Sequence, residues 1–134
     1  MKLIKSIASA LLILLTSCGF FTEEDFGYPK QITFTNDGGM TTITSDSAKG
    51  FTHASIQNYK TGDHGSLISS DDERYSEDLE QSELDWLKIE YGSNGHNREL
   101  KIFAEPNSSG KERTLHIELI SAYEYQVVKV VQSK

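Results

Sequence analysis

The chain has one thiol, Cys18, among its 134 residues, so no disulfide can close within it and a secreted domain of this sequence must rely on its apolar core. It has no apolar run long enough to span a bilayer: its most hydrophobic stretch, Ile7 to Leu15, is well short of the about 20 residues a spanning helix needs. It has no excess of basic residues. Against 20 Asp and Glu stand 13 Lys and Arg, a formal charge of −7, which repels nucleic acid and anionic headgroups and excludes nucleic acid as a partner. It also has no Gly-x-Ser-x-Gly elbow, no phosphate loop and no Cys–His pair. The histidines His53, His64, His96 and His116 are scattered, without zinc-ligand spacing. The many acids offer no two carboxylates that spacing singles out for glycoside hydrolysis. Neither catalysis, a metal nor a cofactor is expected.

What is present begins at the N-terminus. Lys2 and Lys5 precede the apolar stretch, which ends in Leu15-Thr16-Ser17-Cys18. A basic start, a short apolar run and small residues before a cut are the layout of a signal peptide. The quartet resembles the bacterial lipobox, and the chain's single cysteine stands at the one position that motif requires. The expectation is therefore a signal peptide over 1–17, cleavage before Cys18, and lipid on Cys18 anchoring the product in the cell envelope, at the outer membrane and facing outward. Loss of Lys2 and Lys5 takes the charge from −7 to −9. About 115 residues remain, enough for one domain and too few for two. Residues 18–27 are expected to be a lipidated tether with a reach of about 25 Å at most. In it, Phe20 and Phe21 dip into the membrane interface, and the acidic Glu23-Glu24-Asp25 resembles the signal that sends some bacterial lipoproteins to the cell surface.

From residue 28 onward the pattern is that of strands. Ile32 and Phe34 alternate with polar neighbours. Asn36-Asp37-Gly38-Gly39 supplies the positive φ that a short hairpin needs, and Met40 to Thr44, rich in β-branched residues, returns as a second strand. Phe51 to Ile56 is a weak third. Residues 58–85 are expected to be loop, with a turn or two of helix where Ser70-Asp71-Asp72-Glu73 has capping-box spacing. Alternation resumes over Trp86–Tyr91, Glu99–Ala104, Thr114–Ile120 and Gln126–Gln132, with turn residues between. Leu115, Ile117 and Leu119 point inward, His116 and Glu118 outward. The fold expected for 28–134 is all-β, an antiparallel immunoglobulin-like sandwich of about seven strands.

The residues Trp86-Leu87-Lys88-Ile89, Leu100-Lys101-Ile102, Asn107 to Gly110, Arg113 and Val128-Lys129-Val130-Val131-Gln132 resemble the BACON family. These immunoglobulin-like modules are common in surface lipoproteins and glycan-degrading enzymes of Bacteroidetes. The resemblance implies the sandwich fold and a non-catalytic role. It leaves two partners open: a glycan bound by an accessory module, or a larger envelope protein complex onto which a structural or spacer subunit docks. No sugar-binding motif carries over residue by residue.

Among individual side chains, Trp86 is the sole tryptophan. Its ring is suited to a pyranose face, but its place at the head of a core strand favours packing. Tyr59, Tyr123 and Tyr125 lie in or beside loops, where aromatic rings are more telling, and are the candidate ligand-binding residues, with Asn58, Asn94, Asn97 and Arg98 as polar companions on other loops. The acids from Asp71 to Asp85 read as a solvated face without the pattern of a calcium loop. Asp46-Ser47-Ala48 resembles the three-residue acceptor of a bacterial protein O-glycosylation system, with Ser47 as acceptor.

Overall fold

The computed structural model describes residues 21–45, 49–93, 95 and 97–134. The signal peptide, Cys18, Ser47, Asn94 and His96 lie outside the described residues. Ten strands follow in order: β1 Thr22–Glu23, β2 Gln31–Phe34, β3 Gly39–Thr44, β4 His53–Gln57, β5 Ser66–Leu67, β6 Leu79–Leu84, β7 Leu87–Gly92, β8 Glu99–Ala104, β9 Arg113–Ser121 and β10 Glu124–Gln132. They form two five-stranded sheets. The first runs β4, β9, β10, with β1 and β2 both on the far side of β10; the second runs β3, β8, β7, β6, β5. The all-β sandwich is as expected. The seven anticipated strands correspond to β2, β3, β4, β7, β8, β9 and β10, and the three additional ones are β1, β5 and β6. Pairing is antiparallel except that β1 and β2 run parallel to β10.

Period-two alternation builds the core. Leu115, Ile117 and Leu119 of β9 and Val128 and Val130 of β10 face Leu87 and Ile89 of β7 and Leu100 and Ile102 of β8, all buried in one cluster. Each such side chain contributes about 1.5–3 kcal/mol on leaving water, the term that replaces cystines here. Tyr28, Phe51 and Tyr91 meet edge to face at the same level, with centroids 5.9 and 5.3 Å apart.

Three local expectations are corrected. The tether assigned to 18–27 is, from Thr22 onward, part of the sandwich. Thr22 N donates to Tyr123 O and Glu24 N to Tyr125 O, both at 2.8 Å. The chain then turns inward at Gly27 (φ 87°) and seats Phe26, fully buried, in the core. Gln126 holds this turn: its Oε1 accepts from Phe26 N at 2.8 Å and Tyr28 N at 3.4 Å, and its Nε2 donates to Tyr28 O at 3.0 Å.

The turn at 36–39 forms, with Gly38 and Gly39 at positive φ, but it does not close a hairpin. β2 pairs with β10 and β3 with β8, so the turn carries the chain from one sheet to the other. Gly38 passes so close to β8 that a Cβ there would lie 2.4 Å from Ala104 O.

The segment 58–85 holds no helix. Asp72 N donates to Ser69 O and Tyr75 N to Asp72 O, giving turns, because too few apolar residues line up to drive a helix this short. The Asp72 carboxylate binds Arg74 instead of lying in the first turn of a helix. Arg74 spans to Glu83 as well, with Nη2 2.7 Å from Asp72 Oδ2 and Nη1 2.9 Å from Glu83 Oε2. The end of the segment, Leu-Glu-Gln-Ser-Glu-Leu, is strand β6.

Candidate binding face

On β9 and β10 the residues that do not face the core form an outer face. Register places Ile120 opposite Tyr125, Glu118 opposite Val127 and His116 opposite Lys129. On one side β4 adds Ser55 and Gln57, opposite Glu118 and His116; on the other, β1 sets Glu23 opposite Tyr125. Tyr59, in the connection after β4, folds back over this face. Its hydroxyl donates to Glu118 Oε1 at 3.0 Å, and its ring lies 4.5 Å from that of His116 at a 31° tilt. Phe21, Glu118, Ile120 and Tyr125 line a shallow depression of about 190 Å³. Phe21 and Tyr59 remain 56% and 54% exposed, and Tyr123, in the turn that joins β9 to β10, 70%.

Two of the three candidate tyrosines, Tyr59 and Tyr125, are thus brought to one sheet face, flanking Glu118. Tyr123 stands beyond them at the end of the sheet. The polar companions do not converge with them. Asn58 is consumed in its own turn, its Oδ1 accepting from Lys60 N and Thr61 N at 3.0 and 3.2 Å. Asn97 and Arg98 border a separate depression of about 360 Å³ with Glu90, Glu99 and Lys101. It opens where β7 and β8 separate beyond the Glu90–Lys101 pair, and the only ring lining it, Tyr91, is buried. Trp86 is core: it sits in the β6–β7 turn, buried, under the Arg113 guanidinium 4.9 Å from its ring centre.

Local electrostatics follow from burial and from the carboxylate. Burial, reinforced by Glu118, pushes the Tyr59 hydroxyl well above its ordinary range, so it stays a donor. Burial and then Lys129 pull the His116 imidazole below its usual value, with Glu118 opposing. His116 is therefore neutral at pH 7 and carries both a donor and an acceptor nitrogen. Glu118 uses one oxygen on Tyr59 and keeps acceptor capacity. Sugar recognition needs these parts: flat apolar rings for C–H faces and a fixed acceptor for hydroxyls. Among the described residues no group of three His, Cys, Asp or Glu converges as metal ligands would.

Sequence reasoning missed Phe21 and Ile120 as site residues. Phe21 was expected at the membrane interface, and only the pairing of the adjoining β1 with β10 brings it to this face. Ile120 was legible as outward from the β9 alternation, in phase with His116 and Glu118.

Residues 76–133 match the BACON family, described as "Putative binding domain, N-terminal". Over this stretch the chain is similar to BACON. The match spans β6 to β10, the strands that carry Glu118, Ile120 and Tyr125. The chain also superposes on the NMR structure of a protein from Bacteroides thetaiotaomicron, with 14% identity over 79% of this chain and 81% of that one and a TM-score of 0.50; this likeness shows the fold. A second similar structure is a Bacteroides ovatus GH5 xyloglucanase in complex with a XXXG heptasaccharide, with 18% identity and a TM-score of 0.41 over 78% of this chain and 17% of the enzyme. No curated protein matches the sequence.

Proposed function

We propose that this BACON-like chain is a non-catalytic, lipid-anchored binding module of the cell envelope, and that a glycan is the ligand of its β9–β10 face. The observation that carries the reading is the depression formed by Phe21, Ile120 and Tyr125 with the Glu118 carboxylate at its edge. In this arrangement a pyranose ring packs on Tyr125 and Phe21, a hydroxyl donates to Glu118, and Tyr59 closes one side. At about 190 Å³ the depression is smaller than the ~300 Å³ or more of a drug-sized pocket, which suits one sugar unit of a chain running across the surface. The family's description as a binding domain supports the general role. The lipobox quartet ending in Cys18 supports the anchor.

The test is a glycan array with the soluble domain, followed by titration of each hit against Tyr125→Ala and Glu118→Gln. Loss of a ring contact of this type lowers affinity by about 1 kcal/mol or more, so Tyr125→Ala should weaken binding at least fivefold. A hit whose affinity is indifferent to both substitutions places the glycan elsewhere and overturns the site.

A further inference from the structure

A sandwich of two open sheets has four edges, and three of these are closed or short. β5 has two residues. β1 and β2 are separated by the inward turn at Phe26–Pro29 and each covers only part of β10. β4 is covered by the following segment, with Gly65 N donating to Ile56 O at 2.8 Å and Gln57 bridged to His64. The fourth edge, β3, is different. It is six residues long, Gly-Met-Thr-Thr-Ile-Thr, without a charge or a proline. Its ladder runs to β8 alone, and among the described residues no other hydrogen bond reaches the backbone of Gly39–Thr44. Natural sheets protect such edges with lysine, proline, a bulge or a covering loop, and β3 has none of these. A groove of about 490 Å³ runs beside it, between β3 and the segment of Tyr28, Pro29 and Ile32 that leads into the other sheet.

We propose that β3 is a docking edge that takes an extended segment of a different polypeptide as an added strand. Backbone groups of the partner would pair with the open side of Gly39–Thr44. Alternate side chains of the partner would enter the groove over Tyr28 and Ile32, which is how strand addition combines affinity with selectivity. The groove and edge present Thr41, Thr42 and Thr44, with Ile43 buried beneath them, so the fitting side chains are small or β-branched and uncharged. Charge decides against a second copy as occupant. Each chain carries −7, or −9 once residues 1–17 are removed, and two of them meeting along an uncharged edge gain no compensating attraction, whereas a neutral or basic segment meets no such repulsion. This reading is independent of the glycan face, which lies on the other sheet.

The experiment is amide exchange and ¹⁵N chemical-shift mapping of the domain with synthetic eight-residue Thr/Val peptides carrying zero, two basic or two acidic flanking residues. In the free protein, the amides of Gly39–Thr44 not bonded to β8 should exchange quickly. Neutral and basic peptides should slow them at least tenfold and shift only residues 27–32 and 39–45; the acidic peptide should bind several-fold more weakly. Thr41→Lys, which points a charge into the groove, should abolish the effect while leaving the circular dichroism unchanged. If that variant unfolds, exchange in the parent chain still decides. No protection by any peptide at millimolar concentration overturns the proposal. So does prior protection of those amides in a dimer seen by sedimentation, which would make the second copy the occupant.

Discussion

The buried Gln126 side chain should be worth far more than its polarity suggests. It lies under the first turn of the domain and satisfies Phe26 N, Tyr28 N and Tyr28 O. Replacement by Leu keeps the volume but orphans these backbone groups. Each buried polar group left unpaired costs about 1–3 kcal/mol. The 3.4 Å bond to Tyr28 N is already weak, so two groups count, giving a loss of about 2–6 kcal/mol, offset by about 1–2 kcal/mol from the added apolar burial. A net loss near 3 kcal/mol is expected, a large share of the 5–15 kcal/mol by which a domain is stable. With a urea m-value of about 1.5 kcal/mol/M, the unfolding midpoint should fall by roughly 2 M at unchanged slope. Gln126→Glu retains the acceptor for Phe26 N but buries a carboxylate against Tyr28 O, and at neutral pH should be at least as destabilising as Gln126→Leu. A midpoint for Gln126→Leu within about 0.3 M of the parent would refute the reasoning. It would mean that the 22–28 segment peels away at little cost and that Phe26 contributes little to the core.

Gly38→Ala should destabilise by at least about 1–2 kcal/mol in the same assay, since its positive φ resists a side chain and the new Cβ meets Ala104 O. The imidazole of His116 should titrate below 6.5 by NMR. Because its folded value is lowered by burial and Lys129, the unfolded chain takes up the proton first as pH falls. Stability should therefore be indifferent to His116 above about pH 6.5 and decline below it, and His116→Gln should flatten that decline. Tyr123→Ala should change stability by no more than about 0.5 kcal/mol, because the ring is an exposed turn side chain; a larger loss in thermal melts would make the ring structural. Cys18→Ala should release the protein from membranes or leave the precursor uncut, and an unchanged fractionation and gel mobility would remove the anchor from the proposed function.

Much of the sandwich was legible because alternation is a strong signal where one face is buried. Leu115-His116-Ile117-Glu118-Leu119 could be assigned an inside and an outside directly, and the outward pair His116 and Glu118 became part of the candidate face. β6 was not legible. Leu79-Glu80-Gln81-Ser82-Glu83-Leu84 has poor β propensity, and its place is set by β7 alongside it and by the 68–78 turns, held by Arg74, that precede it. Gln81 is buried even though it points away from the core. The burial of Phe26 was hidden in an acidic stretch with Gly27 and Pro29, because what fixes it is Gln126, a hundred residues away in sequence. The convergence of Tyr59 and Tyr125 was equally out of reach. Sequence placed both near loops, but only the β4–β9–β10 register puts them around the same carboxylate.

The parallel pairing of β2 with β10 has a mechanical consequence. The chain enters at one end of this pair and leaves at the other, so tension between the two termini acts along the strands in opposite directions. The bonds at Gln31 to Phe34, opposite Lys129 to Gln132, then lie across the load and share it together instead of opening one after another. A domain held at its N-terminal side and pulled from its C-terminal side meets the force in shear, the stiff direction of a β ladder. The short β1–β10 pairing lies nearer the N-terminus and would yield first, letting the segment before Phe26 extend before the core is disturbed.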